Sequence, residues 1–173
     1  MRRLALLRGI NVGGKNKLKM ADLKSVLKAD GFSEFTSYIQ SGNIILSRET
    51  PFNEVEVKSL IKKNFDIDCE VLLFSPEKFI NCIASSPFPV NDEWISKIYF
   101  TFLQEGVKTI EPLDSKGFGF DEFILGEGVI YIQYASKYSD SKLNNQSIEK
   151  LLGVKASTRN LKTCQKLIQL LQE

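Results

Sequence analysis

The residues best suited to chemistry stand near the start of the chain, in RGINVGGKNKLKM at positions 8–20. Arg8, Lys15, Lys17 and Lys19 carry positive charge. Gly13-Gly14 lets the backbone turn and approach a ligand closely, because neither residue has a Cβ. Asn11 and Asn16 add neutral donors and acceptors. Such a segment can hold an anion, a phosphate above all, on its amides and ammonium groups. GINVGGKN, residues 9–16, also fits the opening of a phosphate-binding P-loop, G-x-x-x-x-G-K. The fit stops there. Asn16 occupies the place of the Ser or Thr that would hold Mg²⁺. The apolar helical register begins near Met20, too late for a helix N-terminus to cradle the phosphate. No apolar strand ends in a metal-binding Asp, and no G-x-G-x-x-G is present. The pattern therefore argues against a P-loop nucleotidase and a dinucleotide fold, and leaves a simpler anion-binding loop.

Two further groups of residues have ligand-binding chemistry. Gln40, Ser41, Gly42 and Asn43 form a polar turn. Thr158, Arg159 and Asn160, after Ser157, are expected to open the last helix. There, Ser157 or Thr158 would cap the helix and Arg159 would fall in its first turn. A cation in that position opposes the helix dipole unless an anion binds beside it. The reading gathers all three groups into one site attractive to negative charge.

The rest of the composition removes whole classes of chemistry. The chain has no His, so Ser-His-Asp and Cys-His catalysis and histidine metal ligation are excluded. Cys69, Cys82 and Cys164 are far apart, show no CxxC spacing and are expected to be reduced core residues. No cofactor or metal is implied. Ser41 or Lys15 could act in catalysis, but no nucleophile stands beside a base, so the sequence does not decide whether the protein is an enzyme. Net charge is +2 over 173 residues, distributed as +7 in 1–28, −8 in 29–154 and +3 in 155–173. That points to a local positive site and not to a uniformly basic nucleic-acid binder.

The elements that must position these groups follow from periodicity. Strands are expected at 3–8, 35–40, 43–47, 69–74, 97–103, 123–125 and 129–134, with a stub at 154–156. Helices are expected at 20–30, 52–65, 76–84, 142–152 and 160–171, with a short helical turn at 107–110. Ser41-Gly42 and Gly126-Glu127-Gly128 read as hairpin turns. The order βαββαβ occurs twice, giving an α+β fold of two ferredoxin-like halves with antiparallel sheets, joined by the helix at 76–84. The expected subdomains are 1–75 and 76–173. In such a sheet the third strand lies between the first two. The loop after Arg8 then shares a sheet edge with Gln40–Asn43.

The motifs LLRGINVGGKNKLKMADL, YIQSGNII, SKL with a following IEKLLG, and TRNLKTCQKL resemble the bacterial family catalogued as domain of unknown function 1697. The resemblance runs over nearly the whole chain in order. It implies shared architecture and directs attention to 8–19, 38–43 and 158–163. It supplies no reaction, substrate or cofactor. Leu161 stands where the family usually carries Trp, so no stacking role is carried over to that position.

The resulting expectation is an uncharacterised bacterial protein of the cytosol that binds a phosphorylated small molecule or nucleotide through its Gly-rich basic loop. The alternative is a nucleic-acid-binding or protein-interaction module without catalysis. Nucleic acid is disfavoured, because strands RLALLR and NIILS offer no aromatic for base stacking. No run is long and apolar enough to span a membrane. The oligomeric state is left open.

Overall fold

The computed structural model describes residues 1–91, 93–104, 107–114 and 116–173. The chain divides into two compact units, one of Met1–Phe79 with Leu167–Glu173 and one of Ile80–Lys166.

The first unit contains β1 (Arg2–Arg8), α1 (Met20–Ala29), β2 (Glu34–Tyr38), β3 (Asn43–Ser47), α2 (Glu54–Phe65) and β4 (Glu70–Phe74). Its sheet runs β2-β3-β1-β4, with each neighbouring pair antiparallel. The third strand thus lies between the first two. Alternation sorts the side chains by face. Ala5, Leu7, Ile44, Leu46 and Val71 pack with Leu23, Leu27, Val57 and Ile61 of the two helices in one apolar core. Leu4, Leu6 and Ile45, on the opposite face, are also fully buried. Both central strands therefore read as continuous apolar runs.

The second helix begins two residues after its expected start. Asn53 Oδ1 accepts from Glu56 N at 3.0 Å and caps it. Phe52 instead packs edge-on against Phe32, ring centroids 4.9 Å apart. Arg48 lies over both rings, at 4.9 and 5.5 Å from their centroids. It also pairs with Asp30 at 3.2 Å and with Glu56. One guanidinium thus ties the ends of α1, β3 and α2 together.

α3 (Pro76–Ala84) follows, with Lys78 N donating to Ser75 Oγ at 3.2 Å. The second unit then contains β5 (Ile98–Leu103), α4 (Glu111–Asp114), β6 (Glu122–Gly126), β7 (Val129–Gln133), a 3₁₀ turn at Tyr138–Asp140, α5 (Asn145–Leu152) and β8 (Ala156–Asn160). α6 (Leu161–Gln172) closes the chain. This sheet runs β6-β7-β5-β8, again antiparallel throughout. Its order repeats that of the first sheet strand for strand. Tyr99, Tyr134 and Tyr138 make mutual ring contacts at 5.0–5.4 Å, and Tyr134 donates to Leu143 O at 2.7 Å.

Several local expectations change. The expected turn at 107–110 is displaced to α4, where Leu113 is buried. α5 starts at Asn145, not 142, because Asn144 and Ser147 form a reciprocal capping box. The second hairpin turn is Glu127-Gly128 alone, since Gly126 pairs with Val129. A Cβ on Gly126 would stand 2.5 Å from the Tyr131 ring, so this strand position requires glycine.

Candidate functional site

β1 ends at Arg8 because Gly9 turns the chain with φ +86°. The following loop folds back on itself. Asn11 N donates to Asn16 O and Lys15 N to Val12 O, both at 3.0 Å. Gly13 and Gly14 form the tip, with φ +56° and +76°. Two successive positive φ values match a tight turn of type I′, which a pair of glycines adopts without steric cost. Asn16 Nδ2 donates to Gly9 O at 2.6 Å and closes the base.

Asn11 sets where this small hairpin stands. Its Oδ1 accepts from Leu18 N at 2.8 Å, and its Nδ2 donates to Leu18 O at 2.9 Å. The same Nδ2 donates to Gln40 O at 2.9 Å. Leu18 is buried, so one amide side chain fixes the loop to the core and to the turn after β2. Asn11 holds φ +52°, a conformation Asn tolerates better than most residues.

The second turn spans Ile39-Gln40-Ser41-Gly42, four residues where two are expected, because pairing stops at Tyr38 and Asn43. Gly42 O accepts from Leu7 N at 2.7 Å. A Cβ on Gly42 would lie 2.7 Å from Leu7 Cβ and 3.0 Å from Leu7 O. With φ +74°, this position excludes any other residue without backbone movement. Asn43 is fully buried, and its Nδ2 donates to Ser41 Oγ at 2.8 Å and to Tyr38 O at 3.3 Å. The loop at 9–19 and the turn at 39–42 therefore form one surface on one edge of the first sheet.

Lys15, Lys17 and Lys19 are exposed on that surface, as are Gly13, Gly14, Asn16, Gln40 and Ser41. Among the described residues, no ion pair engages the three lysines. Elsewhere in this unit, Arg2 pairs with Glu34 at 2.7 Å, Lys58 with Glu70 at 3.2 Å and Lys62 with Asp66 at 2.7 Å. Arg8 is half-buried and stands opposite Glu70 in the β1–β4 register. The Gly13 and Gly14 amides make no hydrogen bond among the described residues, and a Cβ built on either would meet nothing within 4 Å. Accessible amides and unpaired ammonium groups are what an incoming anion needs.

The third group differs from expectation. Thr158, Arg159 and Asn160 belong to β8, in the second unit, and do not open the helix. Pairing with β5 overrides the local helix signal: Thr158 stands opposite Thr101 and Arg159 opposite Phe100. Thr158 Oγ1 is 2.9 Å from Thr101 Oγ1 and donates to Asn145 Oδ1 at 2.9 Å, which holds the start of α5 on the sheet. Arg159 Nη1 donates to Ser157 Oγ and to Thr158 O, both at 2.9 Å. The residue keeps some exposed surface, but its guanidinium is desolvated, and burial pushes its pKa down to about 10. Asn160 Oδ1 accepts from Thr163 N at 2.8 Å and is the real cap of α6. The helix dipole argument for an anion at Arg159 therefore falls away.

Among the described residues, no group of three or more His, Cys, Asp or Glu could hold a metal ion. All three cysteines are free; Cys69 and Cys164 are buried and Cys82 is half-buried. Desolvation pushes the Cys69 thiol up to about 11 and raises that of Cys164 as well, so neither is an activated nucleophile.

Sequence reasoning did not single out Val12 and Ile39. They are 67 % and 56 % exposed, one residue from either end of the Asn11–Gln40 bond. Ile39 has φ +52°. Nothing in the residue types signals either exposure or backbone conformation.

Residues 1–131 match the family described as "Protein of unknown function (DUF1697)". The chain belongs to this family. No curated protein matches it. Among solved structures it is similar to the conserved bacterial protein SP0830 from Streptococcus pneumoniae. The two are 26 % identical, the match covers 98 % of each chain, and the TM-score is 0.64. The described residues form an α+β architecture with two four-stranded antiparallel sheets and six α-helices, and the family's description names no reaction. No helix among the described residues is long and apolar enough to cross a membrane.

Proposed function

We propose that the first unit binds a phosphorylated small molecule or nucleotide on the surface made by Gly9–Lys19 and Ile39–Gly42. The observation that carries this reading is the Asn11 side chain, which bonds Leu18 and Gln40 and so holds two polar loops in one place. The ligand phosphate would sit over the Gly13 and Gly14 amides, with Lys15 and Lys17 supplying charge. Gln40 and Ser41 would add neutral polar contacts. We read the two units as ferredoxin-like. In that order the ends of β1 and β2 meet on one sheet edge, as the site requires.

The reading concerns binding alone. It is tested by titrating ¹⁵N-labelled protein with inorganic phosphate and adenosine 5′-monophosphate at low salt. The Gly13 and Gly14 amide signals are expected to shift with saturation. The shifts should weaken as salt rises and disappear in the Lys15→Ala/Lys17→Ala double variant. Unchanged amide signals with both probes would refute the proposal.

A further inference from the structure

We infer that the ligand of this surface carries a flat apolar body along with its phosphate, as a nucleoside monophosphate does, and is not inorganic phosphate or a sugar phosphate. The inference rests on the anion-binding reading above and specifies its ligand class.

Two exposed aliphatic side chains motivate it. Val12 precedes the Gly13-Gly14 tip, and Ile39 precedes Gln40; the Asn11–Gln40 bond brings these segments together. Single exposed apolar residues are ordinary. Here two of the first unit's large exposed hydrophobic residues flank the same hydrogen bond, beside ammonium groups with no carboxylate partner among the described residues. Ile39 is the more telling. A β-branched residue at φ +52° is a backbone outlier. Asn or Gly would occupy that turn position at lower cost. Such strain persists where surrounding structure enforces it, and it clusters at ligand contacts. An isoleucine kept in this conformation and more than half exposed presents aliphatic surface that the fold itself does not use.

The chemistry of the complement follows. The phosphate meets Lys15, Lys17 and the tip amides. A planar base lies against the aliphatic side chains of Ile39 and Val12 and buries their apolar surface from water. A long nucleic-acid strand fits less well. It would need successive aromatic platforms and a continuous basic track, and these loops contain no aromatic residue. A sugar phosphate satisfies the cations and leaves both aliphatic groups in water.

The test measures binding of adenosine 5′-monophosphate, ribose 5-phosphate and inorganic phosphate to the wild-type chain and to Ile39→Asn and Val12→Ser. Asn accepts the left-handed conformation, so Ile39→Asn is expected to keep or raise the melting temperature. In the wild type, adenosine 5′-monophosphate should bind at least tenfold tighter than ribose 5-phosphate. Each variant should lose most of that difference while its affinity for ribose 5-phosphate stays within twofold. Equal binding of the two phosphate esters to the wild type would overturn the inference and leave the anion site standing. An advantage for adenosine 5′-monophosphate that survives both substitutions would also overturn it, by placing the base elsewhere. Absence of binding by all three probes would overturn both the inference and the reading beneath it.

Discussion

The loop at 9–19 and the segment at 157–160 draw on the same residue types: Asn, a cation and small polar groups. The structure uses them in opposite ways. At 157–160 every polar side chain is engaged in holding the second unit together. Thr158 links β5 to α5, Arg159 binds back to its own strand, and Asn160 caps α6. In the loop the division falls between residues. The Asn11 and Asn16 side chains bond backbone groups, while among the described residues the Lys15 and Lys17 side chains and the two tip glycine amides have no bonded partner. The difference teaches that a polar residue suggests binding only when the fold has not already occupied its hydrogen-bonding capacity. By that criterion the candidate site contracts to the tip, its lysines and the adjoining turn.

The contrast can be broken or sharpened by substitution, starting with the largest effect. Asn11→Ala removes three hydrogen bonds and places Ala at positive φ. At roughly 1 kcal/mol per bond or less, with further backbone strain, the loss should be about 2–3 kcal/mol. Urea denaturation would measure it, and loss of ligand binding should accompany it. A change under 0.5 kcal/mol would show that the two loops stand together without Asn11.

Thr158→Val keeps shape and removes the hydroxyl between Thr101 and Asn145. Thr101 is fully buried, so leaving its hydroxyl short of a partner should cost about 1–2 kcal/mol. Phosphate binding by the first unit should be unaltered. A Thr158→Val protein of full stability but impaired phosphate binding would reverse the roles assigned to the two regions.

The smallest effect is expected at the tip. Lys15→Ala changes an exposed residue with no ion-pair partner among the described residues, so stability should move by less than about 0.5 kcal/mol. Thermal melting checks this directly. A large loss would mean that Lys15 is structural and would remove it from the site.

Much of the architecture was legible in the chain itself. The apolar runs at 4–7 and 44–46 marked strands, and the apolar helical registers marked the helices. Both βαββαβ successions could be read from periodicity. The errors at the starts of α2 and α5 were local Asn caps passed over, whereas those at 157–160 and 41–42 fell where long-range pairing competes with local preference. STRN looks like a helix start because Ser, Thr and Asn are good caps, yet backbone pairing with β5 claims Ala156–Asn160 and passes the capping role to its last residue. Ser41-Gly42 looks like a two-residue hairpin, but Gly42 is bound to β1 through its carbonyl, and the turn widens to include Ile39.

For the candidate site the division is similar. Residue types alone determined that Gly13-Gly14 could turn sharply and that Lys15, Lys17 and Lys19 would carry charge in water, because these are properties of single side chains and short backbone stretches. Only the tertiary structure decided that Asn11 would reach Gln40, that Ile39 would be held in a left-handed conformation, and that Thr158–Asn160 would be taken up by the second sheet. Each of those outcomes depends on which backbone groups a distant strand or loop leaves to be satisfied, and that is settled by pairing across the fold.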